Sequence, residues 1–156
     1  MAWNKQKTIY LLLAVLTLAI IFLFYFNRTA GIEKTTEYRN VEINGNHILA
    51  EIVSDPGRQY LGLSNRATLC SNCGMLFTFP DKQAREFVMR DMKFSLDIIF
   101  INNNKIINIA ENLPPEGATP INIYTSATVA DNVLEVPAGF CQKNNIKAGD
   151  IIGVNN

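Results

Sequence analysis

The chain has 156 residues with 14 basic and 14 acidic side chains, enough for one ordinary domain and without net charge. Three of the basic residues and none of the acidic ones fall within the first 28 positions, so the other 128 residues carry a net charge of −3. Because the remaining cations are scattered singly, the composition argues against nucleic acid as a partner.

An apolar run without charge extends from Ile9 to Phe26 and reads IYLLLAVLTLAIIFLFYF. A helix of this length measures roughly 27 Å, close to the thickness of the hydrocarbon core of a bilayer. Lys5 and Lys7 precede the run, and the positive-inside rule then places the N-terminus in the cytoplasm. We expect residues 1–28 to form a cytoplasmic N-terminus and a transmembrane signal-anchor.

Two other interpretations of this run stay open. A cleaved signal peptide has a shorter apolar core and small residues at its cleavage site, where Ala30 would fit but Arg28 would not. A buried helix of a soluble protein is the third interpretation. If the run is an anchor, the protein crosses the membrane once. Residues 29–38 then form a tether, and residues 39–156 form a β-rich extracytoplasmic domain.

The domain begins with the pattern of a β-hairpin. Asn44-Gly45 separates an alternating segment, 41–43, from an extended segment, 46–53, and this dipeptide tolerates the positive φ angles of a tight turn. Asp55-Pro56 is then typical of the start of a helix, and Gly62 can end it after a turn or two.

The rest of the domain reads as short strands separated by turns, without the alternation of strands and helices that marks βαβ units. Asn102 to Asn104 predicts a second hairpin, residues 111–126 a long loop, and residues 138–145 one or two helical turns. Strands are predicted at 75–79, 85–89, 96–102, 105–110, 132–136 and 151–154. We therefore predict a mainly β fold, an antiparallel β-sandwich or barrel with one or two short helices.

An ordered series of motifs runs through the domain. It consists of Arg58…Gly62-Leu63…Asn65-Arg66…Leu69…Gly74-Met75-Leu76-Phe77…Phe79, then Phe87…Met89…Leu96-Asp97-Ile98…Phe100-Ile101, and finally Val133-Leu134-Glu135-Val136…Gly139…Gly149-Asp150. From about residue 41 to residue 154 the chain resembles the domain of unknown function 192 family, which comprises small bacterial and archaeal domains that often follow a signal or anchor. The resemblance implies a jelly-roll or sandwich fold and no established activity.

The sequence departs from the family pattern in one segment. The family usually reads Trp-Met-Lys-Asn-Thr where Val88-Met89-Arg90-Asp91-Met92 stands here. Any role of that tryptophan or threonine therefore does not carry over to this chain. The cysteines are not part of the general family pattern either.

The cysteines form the sharpest local motif, Cys70-Ser71-Asn72-Cys73. Outside the cytoplasm we expect a structural disulfide, either between Cys70 and Cys73 or from one of them to Cys141. A zinc site completed by Cys141 and His47, a redox-active pair and free buried thiols are the alternatives. No sequence motif indicates a cofactor, and we predict neither a cofactor nor a metal.

Asp97 interrupts an apolar strand and shares one face of it with isoleucines. A buried carboxylate needs a partner. We expect this partner to be Arg66, and Arg90 and Lys93 are the next candidates. The side chain then serves either as a structural ion pair or as part of a ligand cleft.

Glu135 and Asp150 complete the set of candidate ligand-binding residues, which is Arg66, Asp97, Glu135 and Asp150. The three acids could act together in acid–base chemistry or metal binding if the fold gathers them. Asp150 after Gly149 also fits a turn residue that accepts hydrogen bonds from the backbone.

Three classes of function follow from these observations. We expect a non-catalytic binding or accessory module of the cell envelope, held on the membrane by its N-terminal helix, with a polysaccharide or a protein as its partner. The alternatives are a hydrolase-like enzyme that uses carboxylates near Arg66 and Asp97, and a structural assembly protein. A cleft that gathers Arg66, Asp97 and Glu135 would favour a binder or an enzyme over an assembly protein.

Overall fold

The computed structural model describes residues 5–29 and 36–155, and within the first range it describes the side chains of residues 7–24. The chain divides into two compact units, Met1–Thr35 and Thr36–Asn156. Most of the predicted tether and the final residue of the predicted domain lie outside the described residues.

The N-terminal unit contains one helix, α1 (Lys5–Thr29), in its described part. Its segment Lys7–Phe24 has a mean hydropathy of 2.4 and is long and apolar enough to cross a membrane. The hydroxyl group of Thr17 donates a hydrogen bond to the carbonyl group of Ala14, so this polar atom is satisfied within the helix. Length and composition fit both a membrane anchor and a signal sequence.

The second unit is built mainly from strands, as predicted. Its described elements are β1 (Tyr38–Ile43), β2 (Asn46–Val53), α2 (Pro56–Leu61), β3 (Cys73–Gln83), β4 (Glu86–Phe87), β5 (Leu96–Asn102), β6 (Lys105–Leu113), β7 (Tyr124–Thr125), β8 (Ala130–Pro137), α3 (Phe140–Lys143) and β9 (Ile152–Asn155).

Seven of these strands form one curled sheet in the order β6-β5-β8-β3-β2-β1-β9, and β4 pairs with β7 separately. The two edge strands of the curled sheet meet at one end. There the amide of Ile106 donates to the carbonyl of Asp150 at 2.9 Å, and the amide of Ile152 donates to the carbonyl of Asn104 at 2.8 Å. The sheet is therefore a half-barrel that closes at one end, and the predicted mainly β fold class is confirmed.

One strand pair departs from the antiparallel expectation. β2 and β3 are parallel, with Glu51 opposite Met75. Parallel neighbours need a crossover connection, and residues 54–72 supply one that contains α2. Because α2 has only six residues, the sequence shows no amphipathic helix that would reveal a crossover.

The predicted turns are confirmed by positive φ angles. Asn44 and Gly45 have φ values of 51° and 76°, and Asn103 and Asn104 have values of 51° and 60°. Each pair lies between two strands of a hairpin, where this conformation follows the twist of the strands. At the start of α2 the carboxylate of Asp55 accepts a hydrogen bond from the amide of Arg58 at 2.9 Å, as its capping position predicts.

The sheet buries apolar side chains on both faces. One cluster contains Leu76, Ile99, Ile101, Leu134 and Val136 together with Phe140 and Cys141. The other contains Met75, Phe77, Ile98, Phe100 and Val133 together with Leu63 and Met89. Because side chains alternate along a strand, β3, β5 and β8 each contribute to both clusters. This explains why β5 reads as an almost unbroken apolar run.

Gly74 lets β3 and β8 pack closely beside Glu135. A Cβ atom at this position would lie 2.8 Å from the carbonyl oxygen of Glu135 and 3.1 Å from side-chain atoms of Ile48 and Leu134. The nearest of these atoms belongs to the backbone of a paired strand, which cannot move without disturbing the sheet.

We therefore expect Gly74→Ala to destabilise the domain by about 1–3 kcal/mol, the usual cost of overpacking a filled core. Gly117→Ala is the matched control, because its added Cβ has no described atom within 4 Å apart from those of its chain neighbours. Urea denaturation of the two variants measures the difference. Equal stability of Gly74→Ala and the wild type would contradict this account of the packing.

Candidate functional site

Two acidic residues share one face of the sheet. Glu51 of β2 lies opposite Met75 of β3, Met75 lies opposite Glu135 of β8, and Glu135 lies opposite Ile98 of β5. Residues in such a row point to the same face. Glu51 and Glu135 are therefore separated by one intervening strand, roughly 10 Å between their backbones at about 4.8 Å per strand.

Glu51 is ionised and bound by two arginines. Arg66 donates to both carboxylate oxygens at 2.7 and 3.0 Å, and Arg58 donates to one of them at 2.5 Å. The hydrogen bonds from Arg66 lower the pKa of Glu51 and outweigh the effect of burial, which raises it. The same interaction raises the pKa of Arg66. These three side chains form a fixed group with a net charge of +1.

Glu135 has a different environment although it lies on the same face. The residue is 6% exposed, and its Oε2 is buried without a hydrogen-bond partner among the described residues. Burial raises the pKa of Glu135 to about 8, and the charge of Arg66 offsets this only in part. The side chain is therefore mainly protonated at pH 7.

A cleft of about 260 Å³ opens beside Glu135, which forms part of its wall. Phe77, Phe79 and Phe87 supply aromatic surface to the cleft. The rings of Phe77 and Phe87 meet edge to face, with 5.0 Å between their centroids. An apolar cavity with one convergent polar group is the usual composition of a small-molecule site.

The cleft also holds a basic group, the guanidinium of Arg90. It lies 4.0 Å from the centroid of the Tyr60 ring and donates to the carbonyl of Tyr60 at 2.7 Å. These two contacts fix its position. Val88 and Met92, which stand where the family has tryptophan and threonine, line the same cleft.

The predicted pairing of Asp97 with Arg66 is wrong. Asp97 lies opposite Val136 on β8, the neighbour of Glu135 in the strand. Because successive residues point to opposite faces, Asp97 and Glu135 lie on opposite sides of the sheet. Arg66 binds Glu51 on the face of Glu135, and Asp97 makes no ion pair with any described cation.

Asp97 is fully buried and its carboxylate accepts three backbone hydrogen bonds. The donors are the amides of Asn112 at 2.8 Å, Gly139 at 3.1 Å and Cys141 at 3.0 Å. These bonds compensate the burial of the charge and join β5 to the end of β6 and the start of α3. Asp97 is therefore a structural residue in this fold.

Asp150 acts as the turn residue that its sequence context indicates. Its carboxylate accepts hydrogen bonds from the side chain of Asn44 at 2.7 Å and the amide of Lys147 at 2.9 Å. These bonds, the one from Lys147 above all, lower the pKa of Asp150. The fold does not gather Asp97, Glu135 and Asp150 into one site.

The cysteine pair forms a disulfide bond between Cys70 and Cys73, while Cys141 is a free, buried thiol. Burial, followed by the charge of Asp97, raises the pKa of the Cys141 thiol. His47 is exposed and its ring contacts the amide of Asn40. Among residues 5–29 and 36–155, no group of three potential metal ligands is found, so the zinc arrangement that the spacing allowed is not formed.

Glu51 is the buried acid on the face of Glu135 that the sequence analysis missed. It interrupts an apolar strand in the same way as Asp97 does, and it shares a face with buried Val53. That pattern alone could have marked it. The sequence gives no sign, however, that β2 lies beside β3 and so brings Glu51 to the face of Glu135.

Comparison with known proteins supports the fold without assigning an activity. A model of the family DUF192, described as an "Uncharacterized ACR", matches residues 39–154. A crystal structure from Sinorhizobium meliloti 1021, described as a "putative transcription regulator", has a TM-score of 0.72 and 26% identity, over 78% of this chain and 97% of that one. A protein of unknown function from Novosphingobium aromaticivorans DSM 12444 has a TM-score of 0.70 and 27% identity, over 79% and 89%. No curated protein matches the chain.

The raised pKa of Glu135 predicts a loss of stability as the pH rises. Between the ordinary value of 4.5 and about 8, the unfolded chain releases this proton while the folded chain keeps it, so a higher pH favours unfolding. Glu135→Gln is neutral in both states. We therefore expect it to raise the free energy of unfolding at pH 7 by up to about 3 kcal/mol, at about 1.4 kcal/mol per pKa unit.

Urea denaturation at pH 4.5 to 8.5 measures this effect. Glu86→Gln, which replaces an exposed acid beside the same cleft, should leave the pH dependence of the wild type unchanged. An identical slope for the wild type and Glu135→Gln would show that Glu135 titrates normally.

Proposed function

This chain belongs to the domain of unknown function 192 family, and we propose that it is a membrane-anchored, extracytoplasmic binding module of the cell envelope. In this proposal the domain holds a small ligand, or one small group of a larger envelope molecule, in the cleft beside Glu135. The membrane helix keeps the domain at the envelope.

The unpartnered acid in the cleft carries the proposal. A buried polar group without a hydrogen bond costs free energy, and such groups are rare in folded proteins. Within residues 5–29 and 36–155, nothing satisfies Oε2 of Glu135, which lies in the wall of a cavity lined by phenylalanines. A ligand that hydrogen-bonds to this carboxyl group would recover the cost, whereas a purely structural role would favour an apolar residue at this position.

The hydrolase alternative receives less support from this geometry. A hydrolase that uses two carboxylates needs both of them free to exchange protons or to attack. The carboxylate of Glu51 is occupied by three hydrogen bonds from Arg58 and Arg66, which make it a weak base. Asp97, the acid near which the sequence placed a hydrolase site, lies on the opposite face of the sheet from Glu135.

Two observations support the location. The segment Lys7–Phe24 of α1 is long and apolar enough to span a membrane, and the lysines at its N-terminal end favour an inside position for that end. The Cys70–Cys73 disulfide is the form expected in an oxidising compartment.

The cleft can be tested by filling it. Val88→Trp places a large ring in the lining, and we expect it to weaken the binding of small aromatic and aliphatic fragments at least tenfold, because the ring would occupy part of the roughly 260 Å³. Val154→Trp is the control, since Val154 is an exposed valine on β9 outside the cleft. NMR of the full-length protein in detergent measures fragment binding. Equal binding by Val88→Trp would contradict the proposed cleft.

The membrane anchor and the extracytoplasmic location of the domain can be tested by fractionation and reporter fusion. We expect the full-length protein to stay in the membrane pellet after carbonate washing, and an alkaline phosphatase fused after residue 156 to be active, because that enzyme folds only in an oxidising compartment. Deletion of residues 1–28 is the control and should abolish both properties. A full-length protein in the soluble fraction, or an inactive phosphatase fusion, would refute the anchor.

A further inference from the structure

The charged groups around Glu135 do not balance. Glu51 supplies one negative charge, while Arg58 and Arg66 supply two positive charges, and ion pairs of 2.5 and 2.7 Å hold the three side chains together. Arg66 lies close enough to Glu135 for its charge to act on that carboxyl group. With the proton on Glu135, the four side chains have a net charge of +1.

We infer that the ligand of the cleft is a carboxylate on a small apolar body, with its anionic group placed against the carboxyl group of Glu135. The inference rests on the proposed binding function and adds the chemical class of the ligand. One negative charge would neutralise the group formed by Glu51, Glu135 and the two arginines. A neutral ligand would leave this charge to water and counterions, which reach it because the side chains of Arg58 and Arg66 are 29% and 40% exposed, and an ammonium group would add to it.

The hydrogen-bonding capacity of Glu135 leads to the same ligand. A protonated carboxyl group has one O–H to donate, and an ionised oxygen is the acceptor that forms the shortest and strongest bond with it. Oε2 has no partner among the described residues. A ligand carboxylate would give Glu135 the hydrogen-bond partner that it lacks.

The other charges of the cleft permit an anion. Arg90 lies in the lining, and its stacking on Tyr60 holds its guanidinium in place. Glu86, the remaining acid among the described lining residues, is exposed, so its negative charge is screened by water and salt.

The size and lining of the cleft limit the body of the ligand. About 260 Å³ is at the small end for a ligand site, where cavities of roughly 300–1,000 Å³ are usual. Phe77, Phe79 and Phe87 provide apolar, aromatic walls. One ring or a short alkyl chain fits this space, and a long acyl chain does not.

Three probes that share one apolar group and differ in their polar group test the inference. They are 3-(4-fluorophenyl)propionate, the corresponding amide and the corresponding amine, and fluorine NMR reports their affinities for the full-length protein in detergent. We expect the acid to bind at least tenfold more tightly than the amide at pH 6.5, and the amine to bind most weakly.

The pH dependence adds a second readout. The affinity for the acid should fall about tenfold between pH 6.5 and pH 9, because Glu135 then ionises and repels the ligand. The other charged groups near this site are Glu51, Arg58 and Arg66 on the sheet face, and Glu86 and Arg90 in the lining. In Glu135→Gln the amide still donates but cannot ionise, so binding of the acid should persist and lose its dependence on pH.

The possible outcomes separate the inference from the proposed function. The carboxylate inference is overturned if the amide binds as tightly as the acid or more tightly. It is also overturned if the protein prefers the amine and the affinity for the amine rises with pH. In both cases the proposed cleft stands, provided that Val88→Trp abolishes the binding. If none of the three probes binds more tightly to the wild type than to Val88→Trp, the inference falls together with the binding cleft.

Discussion

The site depends on one carboxyl group that the fold buries without a hydrogen-bond partner in the part of the chain that the structure describes. Glu135 lies on β8 in the middle of the curled sheet, where β3 and β5 flank it, and Gly74 allows the backbone of β3 to approach it closely. The low polarity of this position keeps the proton on the carboxyl group at neutral pH. Its charge state, the balance of nearby charges and the chemistry of the cleft all follow from this burial.

Three buried acids show how their partners decide their roles. Asp97 accepts three backbone hydrogen bonds and joins strands and a helix, while Glu51 is held as an anion by two arginines. Both are satisfied within the protein, as buried charges normally are. Glu135 is the acid of the three that leaves an oxygen unsatisfied, and it is also the one that borders a cavity. The unsatisfied group and the cavity together distinguish a binding position from a structural one.

Local features of the fold could be predicted from the sequence, and features that depend on strand order could not. The Asn44-Gly45 and Asn103-Asn104 turns, and the start of α2 at Asp55, follow from the conformational preferences of a few adjacent residues. The pairing of Arg66 with Asp97 was wrong because it required knowledge of which strands are neighbours and which face each acid occupies. Glu51 was missed for the same reason, since only the parallel pairing of β2 and β3 places it on the face of Glu135.

The most direct test is the pKa of Glu135 itself in the full-length protein without ligand. Carbon-13 NMR of the glutamate side-chain carboxyl carbons, with Glu135→Gln to assign the signal, follows its titration. The account predicts a midpoint of about 8, far above the ordinary value for a glutamate. A midpoint near 4.5 would mean that the carboxyl group is solvated or paired, and it would contradict the central claim.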